Sequence, residues 1–92
     1  MNKEWYVYLI ECKDKSYYCG ITKNIQGRLS QHNAGMGAKY TRGRKPIKLI
    51  CHSELMTKSD ALKLEYKVKH VPKQLKIKTI KGEIKCQKDK TN

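Results

Sequence analysis

Residues Trp5–Thr22, WYVYLIECKDKSYYCGIT, decide the fold. Trp5 to Cys12 is a run of β-branched and aromatic residues with no helical period, so it reads as a strand. Lys13 to Ser16 are polar turn formers, and Tyr17 to Thr22 forms a second such run. So short a connection leaves only an antiparallel hairpin. Downstream, Asn24 is a good N-cap and Gly35 suits a helix end, which predicts one helix between them, weakened slightly by Gly27. Gly35 to Pro46, GMGAKYTRGRKP, reads as a basic, glycine-hinged loop. Ile47 to Leu55 is a third strand, expected to carry Ile47, Leu49 and Cys51 on one face. Thr57 then opens a capping-box pattern with Asp60, starting a helix that runs to about Val71, where Pro72 stops it. Beyond Pro72 the residues themselves are ambiguous. Leu75, Ile77 and Thr79 alternate with lysines as in a strand, whereas Pro72 suits the start of a short helix, and periodicity leans to the strand. The expected organisation is one domain over 1–80 and a flexible basic tail over 81–92.

The chain has 92 residues with 21 Lys plus Arg against 8 Asp plus Glu, a net charge of +13 spread along its length. Such a field draws polyanions: nucleic acid first, then an anionic membrane surface. No apolar run is long enough to span a bilayer, and no N-terminal apolar segment suggests export. The four cysteines, Cys12, Cys19, Cys51 and Cys86, lack paired spacing and read as reduced thiols of a cytoplasmic protein. With no Phe, six Tyr and one Trp supply the aromatic packing, and their polar tips need partners.

Polar residues interrupt both helical stripes. On the first helix Ile25, Arg28, Leu29 and His32 share the face expected to be buried, and on the second Glu65 lies with Ala61, Leu64 and Val68. Burying an unpaired ion costs several kcal/mol, so these groups either pair, as in an Arg28–Glu65 salt bridge, or line a cleft. With strand tyrosines on the same sheet surface, the set suits phosphodiester hydrolysis. The cation would steady phosphate oxygens, the carboxylate would hold a Mg²⁺ that keeps most of its waters, and a phenol or imidazole would move a proton.

In order, Tyr6-Val7-Tyr8, Tyr18-Cys19-Gly20, Arg28, His32 and Glu65 resemble the GIY-YIG nuclease domain, specifically a small stand-alone member, over roughly Trp5 to Ile80. The resemblance implies an α+β fold, a three-stranded antiparallel sheet flanked by helices in the order β-β-α-β-α-α, and therefore a third helix after Pro72. It implies a DNA endonuclease using a single divalent metal, Mg²⁺ or Mn²⁺. Tyr8 and Tyr18 would be the motif tyrosines, one of them the general base; Arg28 would bind the scissile phosphate, Glu65 would ligate the metal and Gly20 would permit close approach. His32 occupies a position that is often polar in the family. Asn33 and Lys39 to Thr41 resemble residues of the small-protein branch. The motif departs from its pattern at Tyr6, in place of Gly, and at Cys19, in place of Ile.

Two conditions follow. Tyr8 and Tyr18 share a face if the hairpin loop has an odd number of residues, such as Lys13 to Lys15 with Cys12 opposite Ser16, or if a bulge has the same effect. A tyrosine base also needs nearby positive charge to favour the phenolate. Phosphate contacts are expected from Lys39, Tyr40, Arg42, Arg44, Lys45 and Lys48, with weak sequence specificity because no base-reading element is present. The competing readings are a non-cleaving nucleic-acid-binding module with the same fold, and a protein-interaction domain whose polar trio is only a salt-bridge network.

Overall fold

The hairpin register sets everything else in place. In the computed structural model, which describes residues 2–35 and 43–82, β1 (Tyr6–Glu11) pairs antiparallel with β2 (Tyr17–Thr22), from Tyr6 opposite Thr22 to Glu11 opposite Tyr17. Cys12 N–H donates to the Ser16 carbonyl, so Lys13, Asp14 and Lys15 form the odd loop. Lys15 takes the left-handed conformation at φ 72°, as the last residue of such a loop does. The Asp14 carboxylate accepts from both the amide and the hydroxyl of Ser16, fixing the turn.

The remaining elements are α1 (Ile25–Asn33), β3 (Lys48–His52), α2 (Lys58–Lys69) and α3 (Lys73–Lys81). The sheet order is β2-β1-β3, all antiparallel, which leaves β2 at one edge. This is the α+β architecture that the resemblance implied. Asn24 caps α1 by accepting from the Gly27 amide, and Thr57 caps α2 by accepting from the Asp60 amide.

The faces of the sheet divide the core. Tyr8, Ile10, Cys12 and Ile47 form one cluster, on which Ile25 and Leu29 of α1 pack. Val7, Leu9, Cys19 and Cys51 form the other, covered by Ala61 and Val68 of α2 and by Ile77 and Ile80 of α3. The expectation that Ile47, Leu49 and Cys51 share a face is corrected. The β1–β3 register shifts between Leu9 and Ile10, placing Leu49 opposite Ile10 but Cys51 opposite Leu9, with Ile50 as the extra residue. Cys51 therefore joins the second cluster, while Ile47 and Leu49 stay with the first. β3 is also shorter than Ile47 to Leu55, although the buried Ser53 prolongs its contact with β1 through its amide to the Val7 carbonyl and its hydroxyl, which accepts from the Val7 amide.

The strand-like alternation after Pro72 is likewise overturned. Pro72 stands at the N-cap with φ −59°, Gly82 closes the helix at φ 75°, and the helical turn brings Ile77 and Ile80 onto one buried face. A lysine every second residue mimicked a strand, but Ile77 and Ile80, three residues apart, find their apolar partners in the second cluster. Lys76 then donates to the Val68 carbonyl near the end of α2, which also accepts from the Val71 amide at 3.4 Å, so α3 is tied to the last turn of α2. Lys81 and Gly82, expected in the tail, belong to the end of α3; residues 83–92 lie outside the described set.

Candidate active site at the edge strand

The odd loop puts Tyr8, Ile10, Tyr18 and Gly20 on the face covered by α1. Tyr8 is directly opposite Gly20, and its ring crosses over that glycine: a Cβ there would stand 2.6 Å from Tyr8 Oη and 2.8 Å from Cζ. Gly20 thus permits close approach, but of a tyrosine ring of the same protein.

Tyr8 is 3% exposed, and its phenol is the centre of a closed network. Arg28 Nε donates to Tyr8 Oη at 3.3 Å, and Oη lies 3.0 Å from Nε2 of the fully buried His32. Burial and the neighbouring Arg28 charge push the His32 imidazole below its ordinary value of 6.5. It is therefore neutral, and the imidazole tautomer sets which of Nε2 and the phenol donates to the other. Arg28 also donates through Nη1 to Gln31 Oε1. The rings of Tyr8 and Tyr18 are 6.4 Å apart, and that of His32 is 5.9 Å from the first and 5.5 Å from the second. Four of the expected site residues are thereby gathered by β1, β2 and α1.

Glu65 approaches from the opposite face of the sheet. It pairs with Lys69, Nζ to Oε2 at 3.2 Å, one turn further along α2, and Lys69 Nζ stands 6.0 Å from the centre of the Tyr18 ring. The Cys19 thiol on β2 reports the same proximity: burial first, then the Glu65 carboxylate, raise it to about 12. The Arg28–Glu65 salt bridge weighed from the sequence is replaced by two separate partnerships, Arg28 with Tyr8 and Gln31, and Glu65 with Lys69. Tyr18, on the edge strand, links the two halves.

The condition set for a tyrosine base, positive charge that favours the phenolate, is not met at Tyr8. Burial raises the Tyr8 phenol and outweighs the lowering by Arg28, so Tyr8 is held neutral rather than poised as a phenolate. The space among Tyr8, Ile10, Ile25, Arg28, Leu29, His32 and Leu49 is a packed seam. What reaches solvent is an open hollow of about 190 Å³ lined by Thr22, Asn24, Gly27, Arg28 and Gln31. Such a shallow surface suits a polymer backbone better than an engulfed small molecule. A larger hollow of about 520 Å³ lies away from the tyrosines, between β3, α2 and the end of α3.

Of the residues expected to contact phosphate, Arg44 is tied by Nε to Asp14 Oδ2 at 3.0 Å. Hydrogen bonds from Ser16, then the Arg44 pair, lower the Asp14 carboxyl to about 2. Lys45 and Lys48 are exposed, and Lys48 lies 3.9 Å from Glu11. Lys39, Tyr40 and Arg42 fall outside the described residues. Asn33 has a supporting role: its side-chain amide accepts from the Ile47 amide and donates to the Ile47 carbonyl, anchoring the end of α1 to the segment that enters β3. Tyr6, the departure from the motif, packs edge-on against His52 at 5.0 Å. Sequence reasoning missed Lys69, although the spacing of four from Glu65 on one helix face was a sufficient signal.

His32 makes the site sensitive to acid. Between its lowered value and 6.5 the unfolded chain binds a proton that the folded chain refuses, so stability is whole above pH 6.5 and falls as the pH drops below it. Thermal melts should show Tm falling between about pH 7 and about pH 5, and His32→Gln, which keeps a hydrogen-bond partner for Tyr8, should flatten that slope. An unchanged slope in the variant would locate the acid sensitivity elsewhere.

The fold and this side-chain set define a class. The GIY-YIG catalytic domain matches residues 4–79, and the chain belongs to that family. It is 45% identical over 75 residues to UPF0213 protein SH2523 of Staphylococcus haemolyticus, covering 82% of this chain and 92% of that one. It is 42% identical over 80 residues to UPF0213 protein OB0043 of Oceanobacillus iheyensis, covering 87% and 93%. Two solution NMR structures are similar. Protein EF2693 from E. faecalis aligns with a TM-score of 0.54 at 40% identity, covering 82% of this chain and 81% of that one. The UPF0213 protein BH0048 from Bacillus halodurans aligns with a TM-score of 0.50 at 43% identity, covering 80% and 79%.

Proposed function

We propose that the protein is a metal-dependent endonuclease that hydrolyses DNA phosphodiester bonds along the β2 edge, with little sequence specificity and direction from substrate structure, in DNA repair or processing. The observation that carries this reading is that Tyr18 stands between the Tyr8–Arg28–His32 network and the Glu65–Lys69 pair. A cation, a phenol and a carboxylate from three elements border one stretch of edge strand. Binding alone needs positive charge and no carboxylate turned toward the polyanion.

The roles follow from exposure. Arg28, oriented by its bonds to Tyr8 and Gln31, presents its guanidinium to the scissile phosphate, where charge develops on the non-bridging oxygens. Tyr8 is neutral and enclosed, so it positions Arg28 rather than taking a proton. The base role falls to Tyr18, half-buried at the edge: in its phenolate form it would take the proton of the attacking water as the new oxygen–phosphorus bond forms and the leaving oxygen departs with the electrons of the broken bond. Glu65 is a hard oxygen donor whose side chain is 20% exposed, and the described residues contain no group of three or more His, Cys, Asp or Glu able to hold an ion. One carboxylate fits a single Mg²⁺ or Mn²⁺ that keeps most of its waters and completes its shell with substrate phosphate. Such an ion supplies charge neutralisation at the phosphate and the departing oxygen.

The net charge of +13 supplies the attraction for nucleic acid, with Lys45 and Lys48 as surface contacts and Lys39, Tyr40, Arg42 and Arg44 as further ones. Among the described residues no helix is long and apolar enough to cross a membrane; we place the protein in the cytoplasm. The test incubates the purified protein with supercoiled, nicked, branched and single-stranded DNA in Mg²⁺, in Mn²⁺ and with a chelator. Cleavage in either metal and none with chelator is the expected result. Tight binding without cutting on every substrate would establish the non-cleaving module instead, and cutting that persists with chelator would overturn the metal requirement.

A further inference from the structure

The Glu65–Lys69 pair lies where the proposed chemistry needs a cation and already has one. Lys69 is the last residue of α2, half-exposed, with its ammonium 3.2 Å from Glu65 Oε2 and 6.0 Å from the centre of the Tyr18 ring. It therefore touches the carboxylate assigned to the metal and overlies the phenol assigned to the base. Of the four ion pairs among the described residues, this is the one whose carboxylate belongs to the candidate site.

We propose that Lys69 is a resident stand-in for the metal: it occupies the Glu65 carboxylate when no divalent ion is bound and must withdraw from it for the ion to enter. The inference rests on the metal-dependent reading above and adds a positioning residue to it. Two observations support the exchange. The pair is the weak kind, a partly exposed contact of spacing four on one helix, so opening it is easy. The long stem of Lys69, anchored at a helix end beside β2, lets the ammonium leave Glu65 while remaining beside Tyr18 or turning to a substrate phosphate. A lysine in this position keeps an unliganded carboxylate from repelling DNA, and it sets a threshold of metal concentration for loading the site.

The test titrates Mn²⁺ alone into the full chain and reads the free ion by its paramagnetic resonance signal. Lys69→Met keeps the apolar stem and removes the competing charge. It should bind Mn²⁺ about tenfold tighter, the size expected for removing one charge roughly 6 Å from a divalent ion in a wet site. Lys69→Gln should follow it, Lys69→Arg should stay near the parent protein, and Lys69→Met combined with Glu65→Gln should show no gain. If Glu65→Gln loses Mn²⁺ binding but Lys69→Met and Lys69→Gln bind no tighter than the parent, the stand-in role is overturned and the metal assignment stands. If Glu65→Gln binds Mn²⁺ as the parent does, the metal assignment fails and the stand-in role fails with it.

Discussion

Glu65→Gln is expected to lower cleavage about a thousandfold while leaving DNA affinity equal or slightly higher. The substitution keeps the shape of the side chain and removes the carboxylate charge assigned to the divalent ion at the β2 edge. Its structural cost is small, because the partner lost is Lys69 in a partly solvated pair worth about 0.3–0.5 kcal/mol. Affinity should not fall, since a negative group facing a polyanion has been removed and Lys69 is left to meet phosphate. Cleavage rates in Mg²⁺ and fluorescence anisotropy with a labelled oligonucleotide in chelator separate the two effects. Retained cutting would indicate a contaminating nuclease, whereas lost affinity would show that Glu65 organises the binding surface rather than the chemistry.

Gly20→Ala carries the second large effect. An added methyl would stand 2.6 Å from Tyr8 Oη, 2.8 Å from Cζ and 3.1 Å from Cε2, and the ring cannot step aside because Tyr8 is fully packed beneath α1. Overpacking of this kind costs about 1–3 kcal/mol, which in a domain of this size lowers Tm by about 10 °C. The loss of activity should exceed what the destabilisation explains. Tyr8 is bonded to Arg28 and His32, so moving its oxygen moves the guanidinium, and misplacement by about 1 Å costs on the order of a hundredfold. The measurement is cleavage well below Tm, beside a melt. A Gly20→Ala protein as stable and as active as the parent would show that the ring does not lie across residue 20.

The parts of the fold that were legible in the sequence are those where local chemistry and tertiary packing agree. The hairpin follows from two β-branched and aromatic runs around Lys13–Ser16, and the helix starts follow from Asn24 and Thr57, each of which caps as expected. The failures are equally local. Leu75, Ile77 and Thr79 alternate with lysines, but α3 reads the same residues at a spacing of three, with Ile77 and Ile80 turned toward the core by packing that no window of sequence contains. The β1–β3 bulge at Ile50 is invisible because it depends on register against Leu9 and Ile10. At the site, the helical stripes identified Arg28, His32 and Glu65 as polar groups on buried faces. They could not say that Arg28 and His32 both turn to Tyr8, or that Glu65 turns to a lysine on its own helix. Which tyrosine meets the charge condition for a base was not legible either: burial is a property of the packed state, and at Tyr8 it outweighs the charge of Arg28.

Surface turns are ordinarily the places where a gene can gain or lose a codon at little cost. The Lys13–Lys15 turn is not free in that way. Because Tyr18 is threaded against Ile10 through an odd-numbered tip, one residue more or fewer would rotate the whole of β2 by half a turn. The phenol would swap sides with Cys19, away from Arg28 and His32. Length polymorphism at this tip is thus confined to steps of two residues, and the parity of a solvent-exposed turn becomes a heritable requirement of the chemistry on the strand beside it.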